Sequence, residues 1–224
     1  RSTLDRSSAA SDVYKRQYLT SGQGFADAMS AGPAAASGVA PTSVKAAGGE
    51  HFPVLLTRTD RIPADTLAAL QDLGAKKVVI LGGEAAVSAK VAGELGAKGL
   101  QVARVDGADR YETSANVATM FGTDVDTVYV ASGEEKAYAD ALTGSALAGS
   151  QDAPVLLTRP DRVDQVTKDA LASLKPKKVV VLGGPAAVSD AVYAELGGTE
   201  RLAGSDRYGT SAAVAAQFDK DPNR

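Results

Sequence analysis

The 224-residue chain contains no cysteine and one histidine, His51. A disulfide scaffold, a thiol nucleophile, a cysteine-based redox role and a structural zinc site are therefore excluded, while the compartment stays open, because cysteine-free chains suit export and cytosol alike. No stretch approaches the roughly 20 apolar residues of a membrane-spanning helix, and the start shows no basic-then-apolar leader. A secretion signal, if there is one, lies outside this sequence. What the chain does have is 44% hydrophobic residues, enough for one or two ordinary cores.

Residues 1–17, RSTLDRSSAASDVYKRQ, are polar and patternless and stop abruptly at an apolar strand. DVYKRQ resembles a translated sequencing-adapter end, so the segment is read as non-native and set aside. It holds four basic and two acidic residues; without it the formal net charge moves from −3 to −5. An acidic body argues against non-specific nucleic-acid binding, which needs a basic face.

Internal repetition dominates the remainder. PVLLTRTDR at 53–61 answers PVLLTRPDR at 154–162, and KKVVILGGEAAVS at 76–88 answers KKVVVLGGPAAVS at 177–189. YLTSG (18–22) matches YVASG (129–133), FADAMS (25–30) matches YADALT (138–143), and RVDGADRYETSANVA (104–118) matches RLAGSDRYGTSAAVA (201–215). The frame that follows is a first repeat at 18–103 lacking its opening, a complete second repeat at 104–200, and the start of a third at 201–224. The first copy carries a longer Gly-, Ala- and Pro-rich connection at 38–52, read as a surface loop.

Short β-branched runs alternate with Ala-rich amphipathic segments, the mark of a parallel sheet flanked by helices. In the second copy the pattern predicts strands at 127–132, 154–158, 177–183 and 201–204. Helices are expected at 138–149, 164–174, 189–196 and 207–218. The fold expected is α/β, with tandem flavodoxin- or Rossmann-like modules.

Ligands of such sheets sit at the C-terminal strand ends. There the sequence places Gly82-Gly83 and Gly183-Gly184, which either turn a tight corner or let backbone N–H groups approach an anion. Neither pair completes a dinucleotide fingerprint or a P-loop. Arg58 and Arg61, with Arg159 and Arg162, follow a strand in T-R-x-D-R and either grip phosphate or carboxylate or pair with nearby Asp60 and Asp161. Asp27 and Asp140 open helices, where a carboxylate complements the dipole and caps free N–H groups. Asp109 and Glu112 have capping-box spacing. Arg110-Tyr111 and Arg207-Tyr208 persist even where Glu112 is replaced by Gly209, so capping does not explain them; contact between repeats is favoured over ligand contact.

The ordered string R-x-x-G-x-D-R-Y-x-T-S, (F/Y)-A-D-A-(M/L), P-V-L-L-T and V-V-(I/V)-L-G-G-x-A-A-V-S resembles the cell wall binding repeat type 2 of Gram-positive bacteria, from Tyr18 onward. The resemblance implies an exported cell-wall or surface-layer protein with tandem modules, usually three in a pseudo-threefold assembly, attached non-covalently to an anionic polymer such as a teichoic acid or secondary polysaccharide. Catalysis would reside in a fused domain, with no metal, cofactor or nucleic acid required here. It also implies a polymer site near Pro53, Leu55, Leu56 and Pro154, Leu156, Leu157; the location transfers, while the leucines themselves read as buried strand residues. Two rivals remain: a surface scaffold that binds no polymer, and an enzyme on sugars or nucleotides, for which His51 and helix-start aspartates are meagre material.

Overall fold

The computed structural model describes residues 16–41 and 51–218. The 1–15 part of the adapter-like segment, the middle of the 38–52 connection and the end of the third repeat lie outside the described residues. β1 (Arg16–Ser21), β2 (Val54–Thr57), β3 (Lys77–Leu81) and β4 (Gln101–Val105) form one sheet in the order β2-β1-β3-β4. β5 (Thr127–Ser132), β6 (Val155–Thr158), β7 (Lys178–Leu182) and β8 (Glu200–Leu202) form another in the order β6-β5-β7-β8. Every pairing is parallel, and the registers correspond: Tyr18 lies opposite Val54 and Val79, as Tyr129 lies opposite Val155 and Val180. This is the doubly wound order with the first strand inside, so the chain is α/β with two tandem modules.

The connections carry α1 (Ala26–Ala36), α2 (Ala64–Asp72), α3 (Ala89–Ala97), α4 (Arg110–Thr119), α5 (Tyr138–Ser150), α6 (Gln165–Leu174), α7 (Asp190–Glu195) and α8 (Arg207–Phe218). Central strands KVVIL and KVVVL are buried beyond their first lysine, as expected of strands covered on both faces. Ser88 and Ser189 end the loops after them by capping α3 and α7, accepting from Val91 N and Val192 N.

Sequence period and structural unit are out of phase. The cuts at Arg104 and Arg201 fall inside β4 and β8, so the fourth strand of each sheet is shared between one repeat and the next. Helix α4 then joins the modules. Val117 belongs to the first core with Tyr18, Val79 and Leu81, while Ala115 and Ala118 belong to the second with Leu156 and Leu174. α1 also packs on α5, where the Ser145 hydroxyl donates to Met29 O at 2.8 Å.

Three expectations need adjustment. β1 begins at Arg16, two residues before Tyr18. The 38–52 connection is not all surface: Val39 and Phe52 are buried in the first core, Tyr18 Oη donates to Val39 O, and Phe52 N donates to Ala35 O at 2.9 Å. Leu156 and Leu157 are buried as expected, but Leu55 is only partly so and Leu56 is exposed.

Candidate functional site

One hollow lies where a doubly wound sheet predicts it, at the C-terminal ends of β1 and β3. It encloses about 340 Å³, and its lining includes Ser21, Asp27, Gly83, Gly107, Arg110 and Glu135. Glu135 comes from the second module, so the cleft is a seam. A second hollow of about 510 Å³ shares Asp109, Arg110 and Glu135 with it and adds Tyr111, Lys136 and Arg159.

The D-R-Y-x-T-S segment builds this seam. Asp109 caps α4, accepting from Tyr111 N at 2.9 Å and Glu112 N at 3.0 Å. Glu112 reaches back one residue further than a standard box and accepts from Ala108 N at 2.6 Å. Arg110 lies 5.7 Å above the Phe25 ring of the first module and donates to Gly133 O of the second at 2.6 Å. Tyr111 donates to Glu134 at 3.1 Å, and its ring packs so close to Gly133 that a Cβ there would lie 2.6 Å from it. Ser114 accepts from Leu157 N at 3.0 Å, completing a donor at the edge of β6.

Gly82 and Gly183 adopt φ of +106° and +92°, which favours glycine. Their N–H groups donate to Val105 O and Leu202 O, within the sheets. Gly83 lines the cleft. Gly184 accepts from Val188 N at 3.0 Å at the matching turn.

Asp27 and Asp140 do not cap their helices. Their carboxylates fold over Gly82 and Gly183, where any Cβ would strike them. Burial raises both pKa values above the ordinary 3.8; Arg110 offsets part of this for Asp27, and a Thr210 hydrogen bond and Arg207 do so for Asp140. Sequence reasoning missed Arg104 and Arg201. Arg104 donates to Gly82 O and Val87 O at 2.5 and 2.8 Å, and Arg201 donates to Gly183 O and Val188 O at 2.9 Å each. Their signal was the repeated Arg opening each R-x-x-G.

The four T-R-x-D-R arginines are not gathered into one pocket. Arg61 pairs with Asp60 at 3.0 Å, and Arg162 with Asp161 at 3.6 Å and Asp164 at 3.5 Å, all well exposed except Asp164. Arg159 lies 4.2 Å above the Tyr111 ring and pairs with Asp164 at 2.8 Å and Asp109 at 3.3 Å. Arg58 has no ion pair among the described residues and borders a small hollow with Leu56 and Pro63. Arg207 and Tyr208 stand exposed at the start of α8. His51 Nδ1 faces Ala36 O on the surface. Among the described residues no group of three or more His, Cys, Asp or Glu is placed to hold a metal ion, and no helix is long and apolar enough to cross a membrane.

Two tandem parallel α/β modules, with the sheet-end cleft of the first walled in part by the second, define a tandem-repeat protein. The chain belongs to the cell wall binding domain 2 (CWB2) family, whose model matches residues 2–92 and 104–193. The first match begins inside the adapter-like 1–17 segment. The chain is similar to the N-acetylmuramoyl-L-alanine amidase LytC of Bacillus subtilis (strain 168), 28% identical over 222 residues, covering 96% of this chain and 42% of the amidase. It is 30% identical over 163 residues to the amidase enhancer of the same organism, covering 70% of this chain and 23% of that protein. The solved structures of Cwp6 and Cwp8 from Clostridium difficile match with TM-scores of 0.76 and 0.72 at 28% and 30% identity. Each match covers 92% of this chain, and 32% and 33% of those chains. The chain thus spans less than half the length of these relatives.

Proposed function

We propose that the chain is a non-catalytic anchor that holds an exported protein to the cell wall through an anionic polymer, either teichoic-acid-like or a secondary polysaccharide. In the same reading it is two repeats and the start of a third, at 18–103, 104–200 and 201–224, behind a non-native 1–17. Family membership supports the wall as partner. The observation that supports the seam as site is the shared hollow, where Arg110, Lys136 and Arg159 border one surface at the strand ends. Lys136 is exposed and has no ion pair among the described residues, so its ammonium is available to a phosphate or carboxylate. Asp109, Glu134 and Glu135 alongside weaken the local field, so each contact is weak and retention grows through repeated engagement of one polymer.

Sedimentation with bare cell walls tests this, before and after acid removes phosphate-linked polymers. Retention should fall on stripping, fall with salt, and drop several-fold in Lys136→Glu. Retention indifferent to all three overturns polymer binding, and hydrolysis of wall fragments by the repeats alone overturns the non-catalytic reading. The exposed Leu56 and Leu73 of the first module favour a second reading, a surface scaffold that associates with itself and binds no polymer.

A further inference from the structure

The cleft at the ends of β1 and β3 is built unlike a site for an anion. Of the four charged residues that line it, Asp27, Asp109 and Glu135 are acidic and Arg110 alone is basic. A phosphate entering it would give up its hydration beside like charges. Its volume of about 340 Å³ lies near the lower end of the roughly 300–1,000 Å³ typical of small-molecule pockets. That is room for one ring, not for a length of polymer.

What its walls offer is hydrogen-bonding capacity of both kinds. Among the described residues the Asp27 carboxylate makes no hydrogen bond or ion pair, so its oxygens are acceptors without donors. Gln23 is fixed by Thr59, whose N and Oγ1 both donate to Gln23 Oε1, at 2.9 and 3.1 Å. This leaves the Gln23 Nε2 hydrogens without an acceptor among the described residues. Arg110 gives one N–H to Gly133 O and keeps others for the cleft it lines. Phe25, Ala85 and Ala86 supply apolar wall between these groups.

We propose that this cleft takes one uncharged sugar ring of the wall polymer, with Asp27 accepting from its hydroxyls, Gln23 Nε2 and Arg110 donating to its oxygens, and Phe25 against its C–H face. A hydroxylated ring satisfies acceptor and donors together, and a site so equipped rejects a ligand that leaves them unpaired. The anionic link then falls outside, at Lys136 and Arg159 of the adjoining hollow, which shares Asp109, Arg110 and Glu135 with the cleft. The inference rests on the polymer-anchor reading and divides it in two: a ring held by hydrogen bonds, which salt does not screen, and an anion held by charges, which it does.

Amide NMR of the full chain, titrated with glucose, galactose, N-acetylglucosamine and N-acetylgalactosamine, tests this. At least one sugar should saturate in the millimolar range, shifting Ser21, Gly83 and Gly107, and should do so equally in high salt. Asp27→Ala should weaken it about ten-fold, the loss of a hydrogen bond to a charged group. Gln23→Ala, a change at an exposed side chain, should weaken it several-fold and gives the same readout should Asp27→Ala fail to fold. Inorganic phosphate should leave the three signals in place. No response to any of the sugars, binding that both variants leave unchanged, a phosphate response at the same three residues, or a preference for cationic glucosamine over N-acetylglucosamine overturns the proposal. The anchor reading stands or falls separately, on whether wall retention responds to stripping, salt and Lys136→Glu.

Discussion

Gln17 and Val128 occupy the same place in the two sheets: Gln17 lies opposite Val78 as Val128 lies opposite Val179, and both are fully buried. The amide of Gln17 leaves Oε1 without a hydrogen-bond partner among the described residues. An aliphatic side chain would incur no such penalty, since an unsatisfied buried polar atom costs about 1–3 kcal/mol. Gln17→Val should therefore stabilise the protein by about that amount, read as a higher urea midpoint with an unchanged slope. A neutral or destabilising result would mean that the site makes use of the amide. The mismatch accords with the proposal that 1–17 is not native.

Ser114 and Ser211 are equivalent in sequence and unequal in setting. Ser114→Ala should cost about 1–3 kcal/mol, because the buried Leu157 N–H loses its acceptor. Ser211→Ala should change monomer stability by less than about 0.5 kcal/mol. Urea unfolding of both variants at low protein concentration checks the contrast.

Glycine is required at one of the two positions of each turn. Gly183→Ala places a Cβ 2.5 Å from Asp140 Oδ2 at a φ of +92°, and should destabilise by about 1–3 kcal/mol or more. Gly184→Ala meets nothing within 4 Å and should be close to neutral. Thermal unfolding of the two variants separates corner geometry from mere loss of flexibility.

The raised pKa of Asp140 makes its contribution depend on pH. An acid whose folded pKa lies above its ordinary value is held more readily as the neutral form in the native state. Its penalty is absent below the ordinary value of 3.8 and sets in as pH rises through it. Asp140→Asn should therefore raise stability near pH ~7 and leave it nearly unchanged near pH ~3. Equal effects at both pH values would assign the change to packing instead.

Much of the fold could be read in advance because β-branched runs end in Gly-Gly or Thr-Arg punctuation and recur in the same order in both copies. The strands and helices of the second copy fall within a few residues of their expected places. The partners of individual residues were harder to read, for a physical reason. PVLLT is identical in both copies, yet Leu56 is exposed and Leu157 buried, and what covers Leu157 is α4 (Arg110–Thr119), a helix distant from it in the chain. Arg58 and Arg159 differ in the same way, through Pro63 against Asp164 and, among the described residues, through a helix that lies beside Arg159 alone. The cut at Arg104 was legible as repetition but not as the inside of an edge strand, since a period has no natural starting point.

That phase offset bears on how such chains grow. A duplication of one period, wherever its ends fall, regenerates the joint along with the module, because strand donor and bridging helix travel in the same segment. Lengthening then creates no new surface chemistry to be tuned, and a cut through the joint should damage the units on both sides of it.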